Sequence, residues 1–194
     1  VIGNGVEIIG QRAFSGNSIQ YITIPDSVHL IGAAAFYENT QLTSLTLGSG
    51  VKTIEEQAFY GGNLKDLHIP NNVEFIGNSA FTSQRTGLES LTMDRGPRQI
   101  ETFAFFANQL TSLVIGDSVE EIGVNAFASN QLSSLFIGKG LQTIEVSVFA
   151  SNQLTVLDLG SNVSVIKTDA FGRNQLTDLN ITSSVREIET GAFK

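Results

Sequence analysis

Phenylalanine returns along this chain at a near-constant interval: Phe14, Phe36, Phe59, Phe81, Phe105, Phe127, Phe149, Phe171 and Phe193. The intervals are 22, 23, 22 and 24 residues, then 22 four times over. An Ile stands five residues before each of them, from Ile9 to Ile188, and the residue just before each is Ala, except Val148. A fixed period of this length marks a stacked repeat, because one such unit cannot bury its apolar residues alone. We read residues 1–194 as a single solenoid of eight full repeats and a partial ninth. The chain enters and leaves in mid-repeat, and we expect it to be a segment of a longer protein.

Each unit carries a strand signal. Leu110, Leu113 and Ile115 recur as Leu132, Leu135 and Ile137, then as Leu154, Leu157 and Leu159. Leu113 and Ile115 share one side of an extended chain, while Ser112 and Val114 take the other. Pro or Gly usually follows, as in Ile24-Pro25-Asp26-Ser27-Val28, and bends the chain. Beyond the turn, Ile122 and Ala126 are four apart, which suits a short helical turn with its apolar side inward. The residue after the Ile is Gly in some copies but Glu55, Glu101, Glu145, Lys167 or Glu189 in others, so it cannot require φ > 0. Asn17, Asn39, Gly62, Asn108, Asn130, Asn152 and Asn174 stand three residues after Phe, where we expect a left-handed helical C-cap; Gln84 departs from that pattern. Stacked units would align their strands into one parallel sheet with a wide exposed face, in a body roughly 40 Å long at about 4.8 Å per strand. The expected fold class is therefore α/β, with short helical turns opposite the sheet.

The pattern in "LTSLVIGDSVEEIGVNAFASNQ" resembles the BspA-like leucine-rich repeat, whose unit reads Leu-x-x-Ile/Leu-x-Ile-Pro-x-Ser-Val-x-x-Ile-Gly-x-x-Ala-Phe. The likeness covers the whole chain, although Asn here precedes the strand, whereas the commoner leucine-rich type places Asn or Cys shortly after it. The resemblance implies a right-handed solenoid from a surface-exposed or secreted microbial protein that serves adhesion or partner binding. It carries no catalytic residues over.

Composition narrows the partners. A net charge of −8 disfavours nucleic acid and anionic membranes, which call for basic surfaces. No apolar run approaches the roughly 20 residues of a membrane-spanning helix. Cys is absent, which removes disulfides, thiolate nucleophiles and Cys metal sites. The two histidines, His29 and His68, fall in different parts of different units, so no paired imidazole site is expected. His68 should share the sheet face with Asp66, and an Asp–His pair can orient an imidazole for base work. No nucleophile accompanies it, and a plain surface pair is the simpler reading. Asp158, Asp178 and Asn180 should lie close together. Oxygen clusters can hold Ca²⁺, but without a Gly-bearing loop motif the plainer reading is a solvated acidic patch. Arg85, Arg95 and Arg98 gather in the two irregular copies, which hold two extra residues and Pro97 in place of Val or Leu. An anion site and a tolerated loop insertion both fit. We expect the Gln84–Gly87 loop and the Asp94–Arg98 turn to protrude.

The outward sheet positions are mostly Ser and Thr, against which Tyr21, His68, Val114, Phe136 and Val156 stand out. Val114 and Phe136 should be neighbours, and a contiguous apolar group on a polar face marks a contact site. The expected binding residues are therefore Val114, Phe136, Val156, Asp158, Tyr21 and His68, with no catalytic residue, metal or cofactor. The expected function is recognition of a host or cell-wall protein or glycan by a monomeric module. A spacer that holds other domains away from the cell surface is the alternative, and an enzyme is not expected.

Overall fold

The computed structural model describes residues 1–83 and 87–194. Each coil contains two extended segments, and every strand pairing is parallel and joins equivalent residues of successive coils. The longer segments run from Tyr21–Thr23 and Ser44–Thr46 through Asp66–Ile69, Ser90–Met93, Ser112–Ile115 and Ser134–Ile137 to Val156–Asp158 and Asp178–Asn180. Their alternation decides burial: Leu113 and Ile115 point inward, while Ser112 and Val114 face out. Ser112–Ile115 lies against Ser134–Ile137 with no shift of register.

The other segment is only two residues long and ends on the repeated Ile. Six of these, Ile8–Ile9 through Glu121–Ile122, form one ladder, and Thr143–Ile144, Val165–Ile166 and Glu187–Ile188 form another. The expected α/β fold with one sheet and helical turns is therefore corrected. Among the described residues there is no helix, and the fold is a parallel β-solenoid with extended chain on two sides.

The backbone shows why no helix forms. Along Asn125–Ser129, Ala126 N and Ala128 N donate within the coil to the carbonyls three residues back, at 3.2 and 3.1 Å. The intervening amides of Asn125, Phe127 and Ser129 donate instead to Val146, Val148 and Ala150 of the next coil. A helix keeps all its amide bonds to itself; here alternate ones point along the solenoid axis. Two tight turns result, each using a left-handed residue, Asn125 at φ 57° and Ser129 at φ 58°. The same two positions recur along the chain, filled by residues as unlike as Ala34, Phe103, Asp169, Glu38 and Arg173. Side chains usually avoid this conformation by roughly 1–2 kcal/mol, so the bonds to the neighbouring coil hold it in place.

The asparagines are not the left-handed residues; those lie one position earlier. Asn130 is buried, its Nδ2 donating to Phe127 O and to Phe105 O of the preceding coil, both at 3.1 Å. Its Oδ1 accepts from Leu110 N at 3.2 Å. Asn39, Asn108 and Asn152 are buried likewise, and with Asn174 they form the corresponding bonds between coils. The Asn carboxamide offers two N–H donors and an acceptor on one short branch, which is what these two carbonyls and one N–H demand. Glycine has a separate reason at Gly116, where an added Cβ would stand 1.9 Å from Arg95 O in the adjacent coil.

The nine repeated rings form one column, Phe14 to Phe193, with centroids 5.1–5.9 Å apart and planes within 16° of parallel. Phe105 and Phe127 lie in it fully buried, as the period predicts. Of the two segments expected to protrude, residues 84–86 lie outside the described residues. At the Asp94–Arg98 turn, Met93 and Pro97 are both buried, four apart like Ile115 and Val119, so Pro97 takes the inward place of Val.

Two outcomes test this account. Phe127→Ala should lower unfolding free energy by about 3–5 kcal/mol, and a loss under about 1 kcal/mol in urea melts would show that the column is not the core. Asn130→Asp should cost most at neutral pH, because an ionised carboxylate would oppose two carbonyl oxygens. Burial and those carbonyls raise the folded-state pKa of the new acid above its unfolded value. The variant should therefore come nearest to the wild type below the unfolded pKa and lose ground as pH rises through the folded one. A gap from wild type that is flat with pH would contradict the buried rung.

Candidate functional site

Two outward rows run across the long strands. One reads Tyr21, Ser44, Asp66, Ser90, Ser112, Ser134, Val156, Asp178; the other reads Thr23, Thr46, His68, Thr92, Val114, Phe136, Asp158, Asn180. Tyr21, Val114, Phe136 and Val156 are respectively 76%, 58%, 56% and 59% exposed. The register sets Phe136 directly between Val114 and Asp158, and Val156 lies diagonally beside it on Asp158's own strand. Asp158 is opposite Asn180, and Val156 is opposite Asp178.

Val114, Phe136, Val156 and Asp158 are thus brought together; Tyr21 and His68 are not. Counting strands at about 4.8 Å each, Tyr21 stands roughly 24 Å from Phe136 and His68 roughly 14 Å. The carboxylate nearest the His68 ring is that of Asp94, from the turn after the next strand, with Oδ2 3.6 Å from Nε2. Thr92 Oγ1 lies 3.1 Å from Nδ1. The expected partner was Asp66, two residues earlier on the same strand. Asp94 is missed in the sequence because its position relative to His68 follows only from the coil register.

A shallow, open recess of about 460 Å³ adjoins the patch, lined by Asp158, Gly160, Ser161, Thr182, Ser183 and Ser184. Asp158 Oδ1 accepts from Gly160 N at 3.0 Å, which fixes its carboxylate at the rim. Among the described residues, no three His, Cys, Asp or Glu side chains converge as a metal site would require. Two of the three arginines of the irregular copies lie among the described residues. Arg98 makes a two-pronged pair with Glu120 at 3.2 and 2.9 Å, Arg95 is exposed at the turn, and Arg85 lies outside the described residues. That pair raises the Arg98 pKa and lowers the Glu120 carboxyl below its ordinary value, chiefly through the hydrogen bonds.

On the other side, over the short strands, Glu101, Glu120, Glu121 and Glu145 border an open groove of about 560 Å³. The sequence gives no period-wide signal for it: the position of Glu101 and Glu145 holds Gly or Lys167 in other copies, and that of Glu120 holds residues as unlike as His29, Lys52 and Ser164. Among the described residues, no helix is long and apolar enough to cross a membrane.

The chain matches the BspA type leucine rich repeat region over residues 1–86 and 84–194, in six copies. No curated protein matches it in sequence. Among solved structures, it is similar to the pneumococcal vaccine antigen PcpA, at 23% identity and a TM-score of 0.54, covering 97% of this chain and 59% of that one. It also matches a leucine rich cell surface protein from Faecalibacterium prausnitzii, at 24% identity and a TM-score of 0.49, covering 95% of this chain and 69% of the other. A leucine rich repeat protein of T. pallidum matches at 22% identity and a TM-score of 0.47, covering 94% of this chain and 67% of that one. With the family matched along its whole length, this chain belongs to the BspA-type leucine-rich repeat proteins.

Proposed function

We propose that this chain is a non-catalytic binding module of a bacterial surface or secreted protein, and that it holds a basic protein segment on its sheet face at Phe136. The observation that carries this reading is a half-exposed ring flanked by Val114 and Val156, on a face whose other residues are polar apart from Tyr21, with a carboxylate next to it in register. Water solvates the hydroxyls well, whereas the ring gains by burial, about 1.5–3 kcal/mol when complete. Asp158 and Asp178 then favour a partner that places Lys or Arg one or two strands from its apolar residue, with the recess beside Asp158 open to the cation. The solenoid supports such use by rigidity: the face is set by core packing, so little ordering is lost on binding. Names of related proteins, a cell surface protein and a vaccine antigen, are consistent with a surface location.

The test is an array of basic, acidic and neutral peptides, together with glycan and peptidoglycan fragments, bound to wild type, Phe136→Ser and Asp158→Asn. Basic peptides with an adjacent apolar residue should bind wild type, and Phe136→Ser should weaken them by about 10- to 100-fold without changing Tm. Added salt should weaken wild type more than Asp158→Asn. Equal affinity of wild type and Phe136→Ser would remove the ring from the site. Binding of glycans alone would overturn the protein-partner reading, and binding of nothing in the array would favour the spacer.

A further inference from the structure

The chain contains two Asn-x-Ser/Thr triplets, Asn162-Val163-Ser164 and Asn180-Ile181-Thr182, and the fold treats them differently. Such a triplet is an acceptor for N-linked glycan when a transferase can reach both the carboxamide and the hydroxyl two residues on. Asn162 is tied down: its Nδ2 donates to Lys139 O at 2.7 Å, and Ser164 Oγ donates to Gln142 O at 3.2 Å. Asn162 is itself exposed, but these two bonds and the fully buried Val163 hold the triplet to the coil, so its carboxamide and hydroxyl turn to a transferase only when those bonds break.

Asn180 is the opposite case. It ends an extended segment whose three residues, Asp178 to Asn180, are all exposed, and Ile181 after it is exposed as well. Among the described residues nothing hydrogen-bonds its carboxamide. Thr182 lies beyond the strand, its hydroxyl engaged only with the Ser184 hydroxyl at 2.7 Å, a surface contact that either partner can leave for water. Asp178, two residues ahead, projects to the same side as Asn180. Its carboxylate beside the acceptor offers a basic group of the transferase a second, charge-assisted contact.

We propose that Asn180 is an N-glycosylation site of the folded chain and that Asn162 is not. The donor is an oligosaccharide carried on a lipid pyrophosphate, and the catalyst is an oligosaccharyltransferase. Asn180 Nδ2 attacks C1 of the first sugar and forms a C1–N bond. The bond from C1 to the phosphate oxygen breaks, and its electron pair leaves with the lipid pyrophosphate. The carboxamide nitrogen gives up one proton to a base of the transferase, and nothing is oxidised or reduced. This inference does not rest on the binding reading.

The experiment incubates the purified, folded chain with a bacterial oligosaccharyltransferase and its lipid-linked donor, next to a peptide acceptor as positive control, and locates any glycan by mass spectrometry of proteolytic fragments. The expected result is one glycan, on Asn180, lost in Asn180→Gln and in Thr182→Ala and reduced at least several-fold in Asp178→Ala. All three positions are at least partly solvent-exposed, so the variants should fold, which a melting curve checks. An unmodified Asn180 alongside a modified control peptide overturns the proposal. Glycan on Asn162 in the folded chain overturns the selectivity derived from the two hydrogen bonds and the buried Val163.

Discussion

Alternate amides of each double turn bond to the next coil, and most other features of the structure follow from that division. Because Phe127 N–H reaches Val148 O, the two coils are held at strand separation at the Phe column as well as in the sheet. That spacing stacks the rings at 5.1–5.9 Å, within the range where offset aromatic pairs attract. It also fixes left-handed residues that would not hold the conformation alone, such as Ala34 and Phe103. The buried asparagines complete the arrangement, taking up the carbonyls and the amide that the tight turns leave without backbone partners. Little of this stability is local to one coil, as expected of a repeat whose unit cannot fold alone.

Much of this architecture is legible in the sequence, and the limit of legibility has a physical cause. Apolar residues two apart, such as Leu113 and Ile115, specify a strand and its inward face with little ambiguity. Ile122 and Ala126, four apart, do not distinguish a helical turn from two successive tight turns, because both bring them to the same side. The distinction lies in which carbonyl accepts each amide proton, and no side chain advertises that. Asn three residues after Phe is open to the same confusion: a left-handed cap and a buried bridging amide both favour it, and only its neighbours' unmet hydrogen bonds decide.

The outward residues divide along the same line. Exposure of Val114, Phe136 and Val156 follows from strand alternation alone, so the centre of the candidate site can be read directly. Which residues meet across coils depends on register, and register passes through the irregular fourth copy. His68 and Asp94 lie 26 positions apart in a chain of mostly 22-residue steps, so their approach to 3.6 Å is not evident from spacing. The recess beside Asp158 is likewise formed by two coils together, and no single segment encodes it.

Because each coil offers its neighbour the same set of partners that it receives, the unit can be duplicated or deleted in frame without orphaning a bond. The Phe column, the asparagine rungs and the paired strands would close over the change. The distance between the Phe136 patch and any part of the protein attached beyond the altered coils would then move in increments of one strand separation, about 4.8 Å. Heredity would thus adjust the reach of this molecule in discrete steps, like the notches of a ruler, while leaving the composition of the contact surface untouched.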